Sequence, residues 1–405
     1  MPPTPTHPAA GTAAWPVWAL AVGQTLGYAA FAYIFAALIL SWEGDLGWSK
    51  TTFALGPMVS VALSAVLAPL AGRMVDRGLG VYMLTFGAAL GGVALIGLSQ
   101  VTTPAHYIAA WVVIGLAHAA CLYDVCFAFL IRRFGAQARP RIVRVTLVAG
   151  FASTIAFPTG AALAGALGWR GAVLVAAGAV LCVMVPLHFL AARAIRAGTP
   201  QPSAASLAEG RAAPAIALRR PAFWGLAALF ASLSLNHWML VAFMVPLLSA
   251  QGVALTWAVT AASSVGVAQT IGRLVLFRYD GRIGTRGTAL IVTGAQVVAA
   301  LMLLAVGLSP VVVLAFALLQ GAALGIMTIL RPVMVAETLG QAGFGAINGM
   351  LSIPAQGAMA VAPLFAALLF DGIGPMALIA AAFAAALLAL GLALALTRRH
   401  GENTV

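Results

Sequence analysis

Charge is what this 405-residue chain has least of: 7% of its residues are Asp, Glu, Lys or Arg, against 63% that are hydrophobic. A water-soluble chain needs roughly 25% charged residues to cover its surface, so a soluble fold is excluded. Acid is scarce, with nine residues in all, and Lys50 is the one lysine among 21 basic residues. The three cysteines, Cys121, Cys126 and Cys182, lie in apolar runs without a C-x-x-C pair, and read as small packing residues. The six histidines are scattered along the chain, so no metal or other cofactor is expected. No glycine-rich loop followed by lysine occurs, which excludes ATP-driven pumping by this chain. An enzyme would need a catalytic constellation, and none is visible. The first basic residue is Lys50, so the positive front of a signal peptide is missing. Residues 1–14 read as a cytoplasmic leader.

What is present is hydrophobic length. Mean hydropathy is +1.05, and a bilayer takes about 20 apolar residues per crossing. That ruler gives twelve spans, near 16–40, 51–72, 81–99, 105–130, 143–167, 171–192, 221–247, 255–277, 287–307, 309–330, 344–369 and 373–396. The net charge of +12 would suggest nucleic acid in a soluble chain. Here the positive charges fall between apolar runs, so no nucleic-acid partner is expected. With a cytoplasmic N-terminus, nineteen of the basic residues lie inside and only Lys50 and Arg170 outside. The positive-inside rule therefore puts both termini in the cytoplasm, of a bacterial inner membrane by this reading. Trp15, Trp18, Trp42, Trp48, Trp169, Trp224 and Trp257 lie near predicted span ends, where interfacial anchors belong. Residues 193–220 form the one long interruption. The expected organisation is a six-helix half (15–192), a cytoplasmic linker (193–220), a second six-helix half (221–397) and a tail (398–405).

Residues 72–80 read Gly72-Arg73-Met74-Val75-Asp76-Arg77-Gly78-Leu79-Gly80, a charged turn wedged between two apolar spans where charge is costly. It resembles the signature loop between helices two and three of the major facilitator superfamily of transporters, although Gly80, Val81 and Tyr82 stand where further basic residues usually follow. The second half repeats part of it, in Gly272-Arg273 with Asp280-Gly281-Arg282. Other stretches are Leu46-Gly47-Trp48-Ser49-Lys50, Tyr33-Ile34-Phe35, Phe157-Pro158, Gly168-Trp169-Arg170 and Gly272-Arg273-Leu274. Together they resemble the monocarboxylate-porter and oxalate/formate-antiporter branch. The resemblance implies an all-α membrane fold of twelve helices in two pseudo-symmetric halves, and transport of a small organic anion, often with a proton. The arginine that many sugar and drug carriers have early in helix four is replaced by Trp111, and the glycine-rich helix-five motif of drug/proton antiporters is absent. Export of drugs or other amphiphiles is the alternative.

Ionisable groups inside spans are functional candidates by default. His118 and Asp124 are six residues apart on one helix, about 600° of rotation, which sets them on different faces, so they are not expected to serve one pocket. Asp124 is expected to pair with Arg144 or to couple protons. Arg331 reads as a helix-end residue. Asn236, His237 and Trp238 lie near the middle of the seventh span, and with Gln24, Tyr28 and Tyr33 of the first they are candidate cavity lining. Gln269 and Gln356 are mid-span amides that fit the same role. Arg273 is the candidate substrate anchor, because a guanidinium fits a carboxylate bidentately; the resembled branch uses a helix-eight arginine in this way. His118, His237 and Asp124 are the proton-coupling candidates. Gly72, Arg73, Asp76 and Arg77 are expected to form a conformational latch. The partners expected are a small organic anion, a proton and the lipid bilayer, for a protein working as a monomer.

Overall fold

A computed structural model describes residues 14–48, 50–198 and 204–398; nearly all of the predicted leader and of the tail lie outside them. Nine stretches among the described residues are long and apolar enough to cross a bilayer. Two of these, Thr52–Ser99 and Arg139–Ala197, each hold two spans, because the chain turns at Gly78 (φ 93°) and Gly168 (φ 70°). With the helical first segment, 15–46, the spans number twelve. In chain order they cover 15–46, 50–74, 80–99, 104–134, 139–167, 169–197, 221–250, 255–283, 285–302, 310–339, 344–372 and 375–398. The expected spans are all found, and most run a few residues beyond the apolar stretch. The linker region carries a helix of its own, Ala204–Leu218.

Pro104, Pro221 and Pro310 open spans four, seven and ten, where a missing N–H costs nothing. Three buried cores organise the bundle. One draws on both halves, from Leu20, Val75 and Phe129 to Leu226, Leu330 and Phe344. The other two are separate: Phe31, Trp42, Phe53 and Tyr107 in the first half, and Met239, Leu248, Phe316 and Ile379 in the second. The halves are thus packed into one body at the end nearest the linker helix, while toward the opposite end each half keeps its own core.

That division corrects one expectation. Trp15, Trp18, Trp224 and Trp257 are exposed at span ends, but Trp42 is 1% exposed and Trp169 5%. Trp42 stacks on Phe53 and meets Tyr107 and Trp169 edge-on. Aromatic pairs of this geometry add about 0.5–1.5 kcal/mol each beyond burial, so these indoles hold the core of the first half instead of the interface.

Candidate functional site: a charged pocket at a broken helix and two contacts between the halves

Span four is helical over Pro104–Cys121 and again over Tyr123–Phe134; between them Leu122 is extended (φ −88°, ψ −161°). A break resets the rotation of every residue after it. The count that put His118 and Asp124 on different faces assumes an unbroken helix, and it fails here. Both line one small pocket, together with Tyr28, Ser64, Ala68, Ala119, Leu122 and Tyr123. The Tyr28 ring lies 6.2 Å from His118, edge-on, and 4.4 Å from Tyr123.

Asp124 does not pair with Arg144. Its Oδ1 lies 3.5 Å from Nη2 of Arg331, 207 residues away in the other half, and accepts from Asn348 Nδ2 at 3.1 Å and Ser352 Oγ at 3.4 Å. Arg331 also donates to the Asn348 carbonyl at 3.4 Å and to Ser352 Oγ. Arg331 is therefore not a helix-end residue: it lies within Pro310–Leu339, which stays helical past it. Pro332 follows it directly inside the same helix, and partners in a bundle let a spanning helix tolerate proline. One carboxylate of the first half thus meets an arginine, an amide and a hydroxyl of the second.

Arg273 is 6% exposed. Its guanidinium abuts Gly150, where span five bends, and is near enough to act electrostatically on the Tyr123 phenol. Among the described residues no hydrogen bond or ion pair holds it, and its Nε is buried without a partner. Asn236 donates to the Ala382 carbonyl at 2.8 Å and accepts from Gln320 at 2.9 Å, tying spans seven, ten and twelve. His237 is 1% exposed, meets Trp238 edge-on at 5.5 Å, and has no partner for Nδ1. Gln24 is fully buried within the first half, on the Cys121 carbonyl and His188. Tyr33 lies against Phe157 at 6.1 Å. Gln269 and Gln356 are half-buried on spans eight and eleven. The structure thus gathers Tyr28, His118 and Asp124 in one pocket, sets Arg273 by Tyr123, and puts Asn236 and Gln24 in packing contacts.

At the linker end, Asp76 caps a helix of the other half: Oδ1 accepts from the Gly345 N–H at 3.0 Å and Oδ2 from Ala346 at 2.9 Å, in the first turn of Phe344–Gly372. A carboxylate at a helix N-terminus gains both hydrogen bonds and the dipole. Backbones touch beside it. A Cβ on Gly72 would collide with the Gly345 carbonyl, and one on Gly349 with the Ala68 carbonyl. Arg73 and Arg77 are exposed on the same turn. The halves also meet at a second crossing: Arg139, opening span five, donates to Thr285 and, at 3.3 Å, to Thr288. Glu337 accepts from Thr285 at 2.9 Å. The Gly272-Arg273 repeat lies within span eight, and its Asp280-Gly281-Arg282 portion ends that span just before these threonines. The Asp280 side chain of that repeat lies outside the described residues.

The sequence matches the Major Facilitator Superfamily over residues 20–317. No curated protein matches it. Among solved structures it is similar to the transporter FucP in its outward conformation, with 15% identity and a TM-score of 0.71, covering 95% of this chain and 99% of that one. It is also similar to XylE, a proton:xylose symporter bound to 6-bromo-6-deoxy-D-glucose, with 11% identity and a TM-score of 0.70 over 93% of this chain and 94% of that one. A variant of the E. coli fucose:proton symporter FucP follows at 16% identity and 0.68, over 94% and 98%. With three quarters of its length inside the family match and its whole bundle superimposable on such carriers, this chain belongs to the Major Facilitator Superfamily.

Proposed function

We propose that the protein moves a small, monocarboxylate-like organic anion across the bacterial inner membrane together with a proton, by alternating access between its two halves. The observation that carries the anion is Arg273: a guanidinium 6% exposed, with no acidic partner among the described residues. A buried unpaired cation is costly, and a substrate carboxylate supplies the missing charge. A neutral sugar or an amphiphile gives no reason to keep it. Tyr28, Tyr33, Trp238, Gln269 and Gln356 remain candidate lining. Gln24 and Asn236 serve the bundle itself.

The proton is assigned to Asp124. Ionised, it holds Arg331 across the cavity; protonated, it no longer offsets that guanidinium, and the cavity becomes more positive as the anion arrives. Loading of proton and anion is thereby coupled. His118, in the same pocket, is placed to relay the proton, and His237 is the weaker candidate because it lies away from that pocket. Both halves of the cavity come from one chain, which suits a monomer. The charge asymmetry makes the linker end cytoplasmic, so the closed end is the inner one and the state is outward-facing. Asp76 latches that state, and Asp76→Asn slows transport while leaving binding affinity within a few-fold.

Uptake of labelled carboxylates into proteoliposomes, with and without an inward proton gradient, tests the reading. Arg273→Ala abolishes anion uptake. Arg273→Lys keeps the charge without the fork and loses about tenfold in affinity or more, since a charge-assisted bond contributes about 1.5–3 kcal/mol. Gradient-driven uptake of a neutral sugar, or of an amphiphile unaffected by Arg273→Ala, would replace the anion.

A further inference from the structure

We infer that Gln24 and His188 are a positioning pair: they hold span four broken at Leu122 and so aim Asp124 across the cavity at Arg331. The inference rests on Asp124 being the coupling group.

The break has no local cause. Residues 119–124 read Ala-Ala-Cys-Leu-Tyr-Asp, with neither proline nor glycine, the usual sources of a sharp interruption. Alanine and leucine are strong helix formers, so something outside the segment must favour the extended residue. A break also leaves carbonyls without their i+4 donors. One of these, on Cys121, accepts from Gln24 Nε2 at 2.8 Å.

The Gln24 amide is itself fixed. Its nitrogen lies 3.4 Å from His188 Nε2, and His188 Nδ1 lies 3.0 Å from the Leu84 carbonyl. A carbonyl only accepts, so Nδ1 carries the proton and Nε2 is left as an acceptor. The two N–H groups of the amide then have two acceptors, the Cys121 carbonyl and His188 Nε2. Gln24 and His188 are both fully buried, so no water competes. Spans one, three, four and six meet in this one chain of bonds.

Span one makes room for it. A Cβ at Gly23 would lie 2.5 Å from the His188 ring, and one at Gly27 would lie 2.7 Å from Cδ2 of Leu122. Two glycines one turn apart thus seat the histidine and the broken residue itself. Beyond Leu122 the helix restarts with Tyr123 against Tyr28 and Asp124 on Arg331, Asn348 and Ser352. His118 from span four and Tyr28 from span one face the same pocket. Close the break, and residues 123 and 124 rotate off these partners.

Two readouts separate positioning from bulk stability. The dipeptide Asp-Val occurs once, at Asp124-Val125, so pairing carbonyl-labelled Asp with nitrogen-labelled Val isolates the Val125 amide by NMR. In the broken helix this N–H precedes the first intrahelical donor, Cys126, so no helical bond protects it from exchange with deuterium. In Gln24→Leu, and in His188→Leu, the Val125 resonance moves and its exchange slows by about tenfold or more as the helix closes over it. His188→Gln, which can still accept from Gln24, restores the wild-type signal. In proteoliposomes the two Leu variants keep substrate exchange but lose acceleration by a proton gradient, and His188→Gln regains it. An unmoved Val125 signal in folded Gln24→Leu and His188→Leu protein overturns the inference, whatever the substrate or coupling ion proves to be. So does a lowered melting temperature with the gradient response intact.

Discussion

Spans four and ten occupy matching places in the two halves and carry the two ends of the central ion pair, yet only one of them is broken. Span ten runs unbroken over Pro310–Leu339 with Arg331 and Pro332 inside it. Span four has neither proline nor glycine at its break and is interrupted at Leu122. Local sequence alone would assign the break to the wrong helix. What differs is the neighbour. In the first half, Gln24 of span one bonds to a main-chain carbonyl of span four. In the second, Asn236 of span seven bonds to a side chain of span ten, Gln320, and to a carbonyl of span twelve. Gln24 bonds a carbonyl beside the break that has lost its own i+4 donor, whereas the Ala382 carbonyl that Asn236 bonds lies in an unbroken helix and Gln320 offers only its side chain. The first half therefore presents an adjustable carboxylate, and the second a fixed cation.

The comparison is broken most severely by removing the fixed end. Arg331→Ala leaves Asp124 facing Asn348 and Ser352 alone, and losing one partner of a buried ion pair costs about 3–5 kcal/mol, less here because Asp124 is a third exposed. Transport and exchange are both expected to fall below detection in counterflow assays, with folded protein recoverable. Near-normal exchange would mean that the pair is incidental.

Next in size, Gly27→Val pushes a branched side chain at Leu122, for which overpacking costs about 1–3 kcal/mol. Span four must shift. A fall in melting temperature with a reduced gradient response is expected, and an unchanged gradient response would uncouple the break from the proton. Asn236→Leu sharpens the contrast from the other side. It strands the Gln320 amide, a loss of about 1–3 kcal/mol, but there is no break for it to hold. Thermal stability should fall while the gradient response is retained. The smallest effect belongs to Pro332→Ala: span ten is already continuous, so uptake should stay within about twofold of wild type.

How much of this could be read in the sequence follows the range of the interactions. Span count, the turn at 72–80 and the family come from local patterns, namely runs of about 20 apolar residues and a charged motif between two of them. The turn that carries Asp76 was legible because its residues are contiguous, although what Asp76 contacts, the start of span eleven, was not. The Asp124–Arg331 pair was not legible, since Arg144 is the nearer candidate in sequence and the break that re-aims Asp124 has no local signature. Gln24 was expected to line the cavity. Its role depends on which carbonyl span four leaves bare, and only the folded arrangement fixes that. His188 went unmarked because it lies late in span six, where a histidine near a helix end reads as ordinary. Arg139 was counted as one more cytoplasmic charge, and its partners Thr285 and Glu337 are 146 and 198 positions away.

The most direct test of the central claim compares wild type with Asp124→Asn in proteoliposomes, measuring uptake of a labelled carboxylate with an inward proton gradient and exchange without one. Asparagine keeps the size of the side chain and one acceptor while removing the titratable charge. The account predicts that the variant exchanges substrate but shows no acceleration by the gradient, whereas wild type is accelerated. Gradient acceleration of equal size in both proteins would contradict it and remove Asp124, and the broken helix that aims it, from proton coupling.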